Sequence, residues 1–213
     1  IAFIQECHLR KNNVKLKGYS FLYDYSSVGV AIVIKDAICY NRINVDDFGI
    51  HGNFVQIELK VNNAVKKLLV GSLYIPSNLP VSSINSGLDN ILHVASGYDG
   101  FIFGGDLNAK NLTWGDQMDN FNGKNLYNWL QDHTLDVLRI SDSNPSYPNG
   151  SSFLDHFLLS THLIDNNFSN FKVSSLCTFS DHFPIKLELK MEFSEFILRS
   201  PRLLTSYKNT NWD

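Results

Sequence analysis

The chain has 213 residues and a mass of 24.2 kDa, enough for one large domain with a full core or at most two small ones. With 44% hydrophobic, 18% charged and 13% aromatic residues it has a globular composition, and no window approaches 18 uninterrupted apolar residues, so no membrane span is expected. A formal net charge of −3 excludes a grip on polyanions through overall charge and leaves room only for a local basic strip.

Cys7, Cys39 and Cys177 are widely spaced with no C-x-x-C pair. That pattern predicts buried thiols in a reducing compartment, with neither a disulfide framework nor a zinc site. The opening Ile1-Ala2-Phe3-Ile4-Gln5-Glu6 is neither a signal nor a transit peptide and lacks an initiating Met, so the chain is expected to be a piece of a longer polypeptide.

Residues 1–5 predict a buried strand that delivers Glu6 at its end. Asn12-Asn13 marks a loop, and Tyr19 to Tyr25 is an aromatic strand. Val28 to Ile34 is nearly all apolar and β-branched, hence a strand covered on both faces; Lys35-Asp36 turns it into Ile38 to Ile43. Val55, Ile57 and Leu59 alternate with Gln56, Glu58 and Lys60, a half-exposed strand that turns at Asn62-Asn63 into Lys67 to Ile75. A helix follows, with Ile84, Leu88, Ile91, Leu92 and Ala95 on one face, Ser82 or Ser83 as its cap and Gly97 at its end.

Phe101 to Phe103 is a strand that exits through Gly104-Gly105. Asp106 and Asn108 follow, and an extended backbone would point both the same way. This is either a carboxylate and amide set for chemistry or an ordinary post-strand turn. After Trp114-Gly115 a second helix spans Gly123 to His133 with Leu126 and Leu130 inward. Leu135 to Ile140 is a short strand, Ser141 to Ser151 a loop, and Phe153 to Leu159 a strand interrupted by Asp155-His156. Phe168 to Phe179 is a strand ending in Ser180-Asp181-His182, and Pro184 to Leu189 returns from it. Roughly ten strands with two long helices set between them predict an α/β fold with large mixed sheets. From Phe193 the hydrophobic rhythm fades, so residues 1–192 read as the domain and 193–213 as a linker.

Four apolar runs stop at acids or a histidine: Glu6, Asp106 with Asn108, Asp155, and Asp181 with His182. Charged groups at such places are partly buried and need partners or a metal. If they converge, the set offers a carboxylate for a hard cation, a base with an amide, and an imidazole oriented by a carboxylate. Mg²⁺ suits oxygen ligands of this kind, whereas zinc fits worse without H-x-x-x-H or clustered cysteines. A hydrolase triad of Ser180, His182 and Asp155 is disfavoured, since no G-x-S-x-G elbow is present. His8, His51, His93, His133, His156 and His162 read as surface or packing residues. Tyr74 is open between core packing and phosphate contact, Trp114 reads as a packing anchor before a base-stacking group, and Lys110 and Lys124 read as solvated.

Taken in order, Ile4-Gln5-Glu6, Tyr74-Ile75-Pro76, Gly105-Asp106-Leu107-Asn108, Leu154-Asp155-His156-Phe157-Leu158 and Ser180-Asp181-His182 resemble the endonuclease/exonuclease/phosphatase superfamily over residues 1–190. That superfamily comprises Mg²⁺ phosphodiesterases, including abasic-site endonucleases and deoxyribonuclease I. Asp106 to Lys110 followed by Trp114-Gly115 further resembles the endonuclease domain of non-LTR retrotransposons. The tail around Tyr207 to Trp212 resembles the connection toward a reverse transcriptase.

The resemblance implies two packed mixed sheets flanked by helices, a deoxyribonuclease I-like four-layer sandwich. It implies that Glu6 binds Mg²⁺, or Mn²⁺ in its place, with Asp181 supporting the metal or its water. Asp106 would activate the attacking water and Asn108 hold it or a phosphate oxygen. His182, oriented by Asp155, would donate to the phosphoryl oxygen, and Tyr74 would hydrogen-bond the phosphate. Ser152 and Ser180 would support the site or touch phosphate. The implied substrate is double-stranded DNA in the nucleus, nicked to a 3′-hydroxyl and a 5′-phosphate, the hydroxyl priming a reverse transcriptase in the same polypeptide.

Two departures from the family pattern stand out. A first strand carrying an Asn is expected before Ile1, on the order of 30 residues in all. Its absence would bare an unpaired edge and weaken fold and activity. Ser77 stands where the family often has Asn after Tyr-x-Pro, with Asn78 one place later, so either can face the phosphate. The competing readings are a remnant that only binds nucleic acid and a phosphodiesterase for lipid or inositol phosphates.

Overall fold

The computed structural model describes residues 1–9, 14–24, 28–45, 49–61, 64–140, 144–163, 168–174, 180–189 and 195–196. Its centre is a hairpin of two 11-residue strands, β5 (His51–Val61) and β6 (Ala64–Tyr74), in register from Val61 opposite Ala64 to His51 opposite Tyr74. On β6, Leu69 and Leu73 face one side of the sheet, while Leu68 and Val70 face the other. Both faces are therefore buried, as a central strand with a continuous apolar run requires.

Helix α1 (Val81–Ala95) carries the chain from β6 to β7 (Gly100–Asp106), which runs parallel to β6. Helix α2 (Phe121–Asp132) leads to β8 (Val137–Ile140), which pairs antiparallel with β9 (Asp155–Ser160), itself antiparallel to β7. Strand β4 (Tyr40–Ile43) pairs with β5, as does β12 (Glu195–Phe196), completing a seven-stranded mixed sheet. On one face Ile84, Leu88 and Ile91 of α1 and Leu126 and Trp129 of α2 pack on Leu69, Phe101 and Phe103. Trp129 Nε1 donates to Asp89 Oδ1 (2.7 Å), tying the helices together.

The opposite face is covered by two smaller antiparallel sheets. One has the order β1 (Ala2–Ile4), β3 (Val30–Lys35), β2 (Tyr19–Asp24); the other pairs β10 (Phe168–Val173) with β11 (Ile185–Leu189). Ile32 and Ile34 of β3 pack on Val55, Ile57, Leu68 and Val70, whereas Ile185, Leu187 and Leu189 pack toward Phe157 and Leu159. The fully buried Ile32 and Ile34 each contribute roughly 1.5–3 kcal/mol, and the partly buried Ile185, Leu187 and Leu189 less. A cavity of about 720 Å³ lies between β1 and β11, with Ile57, Leu59, Leu68 and Val70 on its wall.

The expected α/β class with mixed sheets is the observed one, with several local corrections. Strand β1 is an edge rather than a buried strand: Ile1 and Ile4 are exposed, and among the described residues β1 pairs only with β3. Pro80, not Ser82 or Ser83, stands before α1; its carbonyl takes the amides of Ser83 and Ile84, so both serines lie inside the first turn. Helix α2 begins at Phe121, before Gly123, because Asn120 caps it by accepting from the Gly123 amide. Gly104 and Gly105 remain inside β7, where a Cβ on Gly105 would fall 1.9 Å from the Leu73 carbonyl oxygen. Asp155-His156 opens β9 instead of interrupting it, and β8 starts two residues after Leu135.

Strand β10 ends at Val173, and residues 175–179 lie outside the described ones, as do Asn12-Asn13, Asn62-Asn63 and the tail from 197. Glu195–Phe196 pair with β5 inside the stretch read as linker. Cys7 and Cys39 are half-buried rather than buried, one just past β1 and the other before edge strand β4; Cys177 lies outside the described residues. Among the described residues both helices cover one face of the large sheet, giving a helix, sheet, sheet order of layers.

Candidate active site

Strands β6, β7 and β9 end abreast. Tyr74 pairs with Asp106, and Asp106 with Asp155, so three candidate side chains from three parts of the chain occupy one rung across the sheet. Side chains on one rung leave the same face. Beyond the rung, the Ile75 amide donates to the Asp106 carbonyl and the Leu107 amide to the Leu154 carbonyl, both at 3.0 Å, which holds the three strand exits together.

Asp106 is buried, and its Oδ1 accepts the Asn108 amide at 2.9 Å. Asn108 has φ 48°, the left-handed conformation that Asn tolerates better than most residues. The backbone is therefore a turn and not the extended segment that spacing suggested, yet the turn brings the two groups together. Asn108 Nδ2 donates to the Ile75 carbonyl (3.1 Å) and lies 3.4 Å from Asp106 Oδ2. Burial, and secondarily the Asp155 charge, push the Asp106 carboxyl up to about 7; the Asn108 amide and His182 oppose this, and Glu6 adds to it.

His182 Nδ1 meets Asp155 Oδ2 at 2.7 Å. This bond, with the charges of Asp155 and Asp106, raises the imidazole to about 9 against a smaller cost of burial, so His182 is an imidazolium at neutral pH. The Tyr147 ring lies 5.1 Å from the imidazole ring, and the Ser180 hydroxyl accepts the His182 amide (3.1 Å). Ser146 braces both sides: its hydroxyl accepts the Leu154 and Asp155 amides, and its carbonyl accepts the Phe183 amide.

Tyr74 is half-buried and resolves toward the site. Burial, and secondarily the nearby Glu6 carboxylate, push its phenol well above the usual range, while Asn108 opposes this. Gln5 Nε2 donates to the buried Ser72 hydroxyl (2.9 Å), which fastens the end of β1 to β6 and puts Glu6 beside Tyr74. Glu6 itself is exposed with φ 51°.

The donor set near Glu6 and Asp106 is all oxygen, which fits a hard cation held by one or two carboxylates and substrate phosphate. No group of three or more His, Cys, Asp or Glu side chains able to hold a metal exists among the described residues. Asp181 is exposed and acts on His182 through its charge; no contact joins it to Glu6 among those described.

Ser152 is buried with its hydroxyl donating to the Gly150 carbonyl (2.9 Å), and its backbone bridges to Tyr147, whose ring lies beside His182. Ser77 and Asn78 are both exposed in a turn closed by Leu79 on the Pro76 carbonyl, and either can face a ligand. Trp114 is a buried packing anchor, as expected. His156, read from the sequence as a packing residue, is 1% exposed and bonded at both ring nitrogens. Asn120 and Asn122 also reach the loop after β7, and of their roles only the helix-capping one of Asn120 has a readable signal in the sequence.

A mixed sheet with two helices on one face and smaller antiparallel sheets on the other is a deoxyribonuclease I-like α/β fold. The chain belongs to the endonuclease-reverse transcriptase family, whose model matches residues 68–186. The endonuclease domain of TRAS1, a telomere-specific non-LTR retrotransposon, is similar to it in structure: TM-score 0.64 and 18% identity, over 83% of this chain and 81% of that one. AP endonuclease LMAP from Leishmania major aligns with TM-score 0.61 and 15% identity over 89% and 78% of the two chains. The catalytic domain of Xenopus laevis APE2 aligns with TM-score 0.58 and 17% identity over 83% and 77%. At these identities the likeness is one of fold. No curated protein matches the sequence.

Proposed function

We propose that this chain is a Mg²⁺-dependent endonuclease that nicks double-stranded DNA in the nucleus. The 3′-hydroxyl it leaves would prime reverse transcription by a polymerase domain of the same polypeptide. The observation that carries this reading is the rung of Tyr74, Asp106 and Asp155 with His182 bonded to Asp155.

Asp106, with its carboxyl near neutrality, is matched to take a proton from water and still ionise at working pH. Water oxygen attacks phosphorus as its proton passes to Asp106, the bond from phosphorus to O3′ breaks, and the departing O3′ takes a proton from solvent water to become the 3′-hydroxyl. Asn108 holds the water or a phosphate oxygen beside that carboxylate. The His182 imidazolium, fixed by Asp155, donates to the phosphoryl oxygen as negative charge grows there, and Tyr74, kept protonated, donates a second bond. Mg²⁺, or Mn²⁺ in its place, would be held by Glu6 and supply Lewis-acid stabilisation of the phosphate oxygens. No helix among the described residues is long and apolar enough to cross a membrane.

Relaxation of supercoiled plasmid in Mg²⁺, with EDTA and Asp106→Ala controls and extension of the nick by a polymerase, tests the reading. Cleavage of sphingomyelin in place of plasmid would transfer the same chemistry to lipid phosphates. Binding of DNA without relaxation would leave a non-catalytic remnant.

A further inference from the structure

Four consecutive carbonyls leaving β7 are each taken by a donor from another part of the chain. The Leu107 carbonyl accepts Asn122 Nδ2 (3.2 Å), the Asn108 carbonyl accepts Asn120 Nδ2 (2.7 Å), and the Ala109 carbonyl is bonded by His156 Nε2 (3.1 Å). The Lys110 carbonyl accepts the Asn120 amide (3.0 Å), and Asn120 Oδ1 accepts the Lys110 amide in return (2.9 Å). Asn120 thus holds the Asn108 carbonyl and both main-chain groups of Lys110 while capping α2.

The grip at Ala109 has a fixed proton arrangement. Arg139 Nη1 lies 3.1 Å from His156 Nδ1, and since a guanidinium can only donate, Nδ1 accepts and Nε2 carries the hydrogen given to Ala109. Burial and the neighbouring Arg139 charge hold the imidazole down at about 4, so it stays neutral. The Arg139 guanidinium lies 4.4 Å from the Trp114 ring centre, and Trp114 meets His156 edge-on at 5.3 Å.

We propose that Asn120 is a positioning residue, supported by Asn122 and His156. Asn120 holds the carbonyl of the left-handed Asn108 itself while Asn122 and His156 hold those of Leu107 and Ala109, which fixes the direction of the Asn108 amide group and of the N–H that holds Asp106. A left-handed residue persists only where its surroundings over-determine it, and here successive main-chain bonds do so. The inference deepens the endonuclease reading and rests on it for its catalytic readout, but its structural readout does not.

The variant that isolates the effect is Asn120→Asp. Aspartate keeps the acceptor oxygen for Gly123 and Lys110, hence the helix cap, but sets an oxygen against the Asn108 carbonyl where a donor stood. The expected result is a chain that melts like the wild type, with faster amide hydrogen exchange confined to residues 107–110. Plasmid nicking should lose on the order of 100-fold in kcat at little-changed KM. Asn108→Gly, which keeps the left-handed backbone and deletes the amide, completes a double-mutant cycle. If Asn120 acts through Asn108, adding Asn120→Asp to Asn108→Gly slows the enzyme no further. Additive losses, or unchanged exchange at Asn108 in Asn120→Asp, would overturn the proposal. A wild-type chain that does not nick plasmid would defeat the endonuclease reading, and the exchange measurement would still decide this one.

Discussion

His182 Nδ1 lies 2.7 Å from Asp155 Oδ2, and Asp155 stands on the same rung as Asp106. One carboxylate therefore sets the proton affinity of two groups at once. It raises the imidazole and, through like charge, the carboxyl beside it. Nicking by the wild type should rise through about pH 7 as Asp106 ionises and fall through about pH 9 as His182 deprotonates. Asp155→Asn removes both influences, so His182 returns toward its ordinary 6.5 and Asp106 also falls. The whole bell moves to the acid side, and kcat/KM measured from acid to alkaline pH checks it. An alkaline limb that stays in place refutes the coupling.

Asp106 weakens the fold it serves. Its carboxyl ionises near its ordinary value of 3.8 in the unfolded chain but at about 7 when folded, so between these values the unfolded chain holds fewer protons. Stability is full below the lower value and is lost as pH rises through the upper one. Asp106→Asn should raise unfolding free energy at pH 8 by roughly 2–4 kcal/mol, change it little at pH 4, and abolish nicking. Urea denaturation at the two pH values measures the difference, and equal gains at both would contradict the buried-carboxylate account.

Gly123 sits in the first turn of α2, where alanine would ordinarily stabilise by about 1 kcal/mol. Here a Cβ would stand 1.7 Å from the Lys110 carbonyl oxygen. Gly123→Ala should instead cost about 2 kcal/mol or more, because the backbone of the site loop must yield. A urea midpoint at or above that of the wild type would rule out this close approach.

Glu6 is exposed and lies near the Tyr74 hydroxyl, so its neutral replacement should spare the fold. If Glu6 holds the cation, Glu6→Gln raises the Mg²⁺ concentration for half-maximal nicking on the order of tenfold or more, with an unchanged melting temperature. Titration of nicking against Mg²⁺ in the two proteins checks it, and coincident curves would remove Glu6 from the metal's ligands.

Much of this architecture was legible because it follows period and punctuation. The continuous run Val28 to Ile34, the alternation from Val55 to Leu59 and the stripe from Ile84 to Ala95 each impose one element, and the acids mark where apolar runs stop. The Asp106 and Asn108 pair was also legible, but for a reason only half right. The turn and the proposed catalytic pair use the same residues, so the two readings do not exclude each other. What stayed hidden rests on pairings that leave no period in sequence. Asn120 reaches a carbonyl 12 residues back and His156 one 47 residues back. Such side-chain-to-backbone bonds have no residue-type signature on the acceptor side, since every residue carries a carbonyl.

Glu6 is delivered by a small sheet, Asp106 by the large one, and His182 by the segment entering β11. Competence is therefore a property of the closed assembly and of no single piece. Warming that parts the layers before any of them melts would silence the molecule while its circular dichroism still looked intact, so the temperature of half-inactivation should fall below that of unfolding.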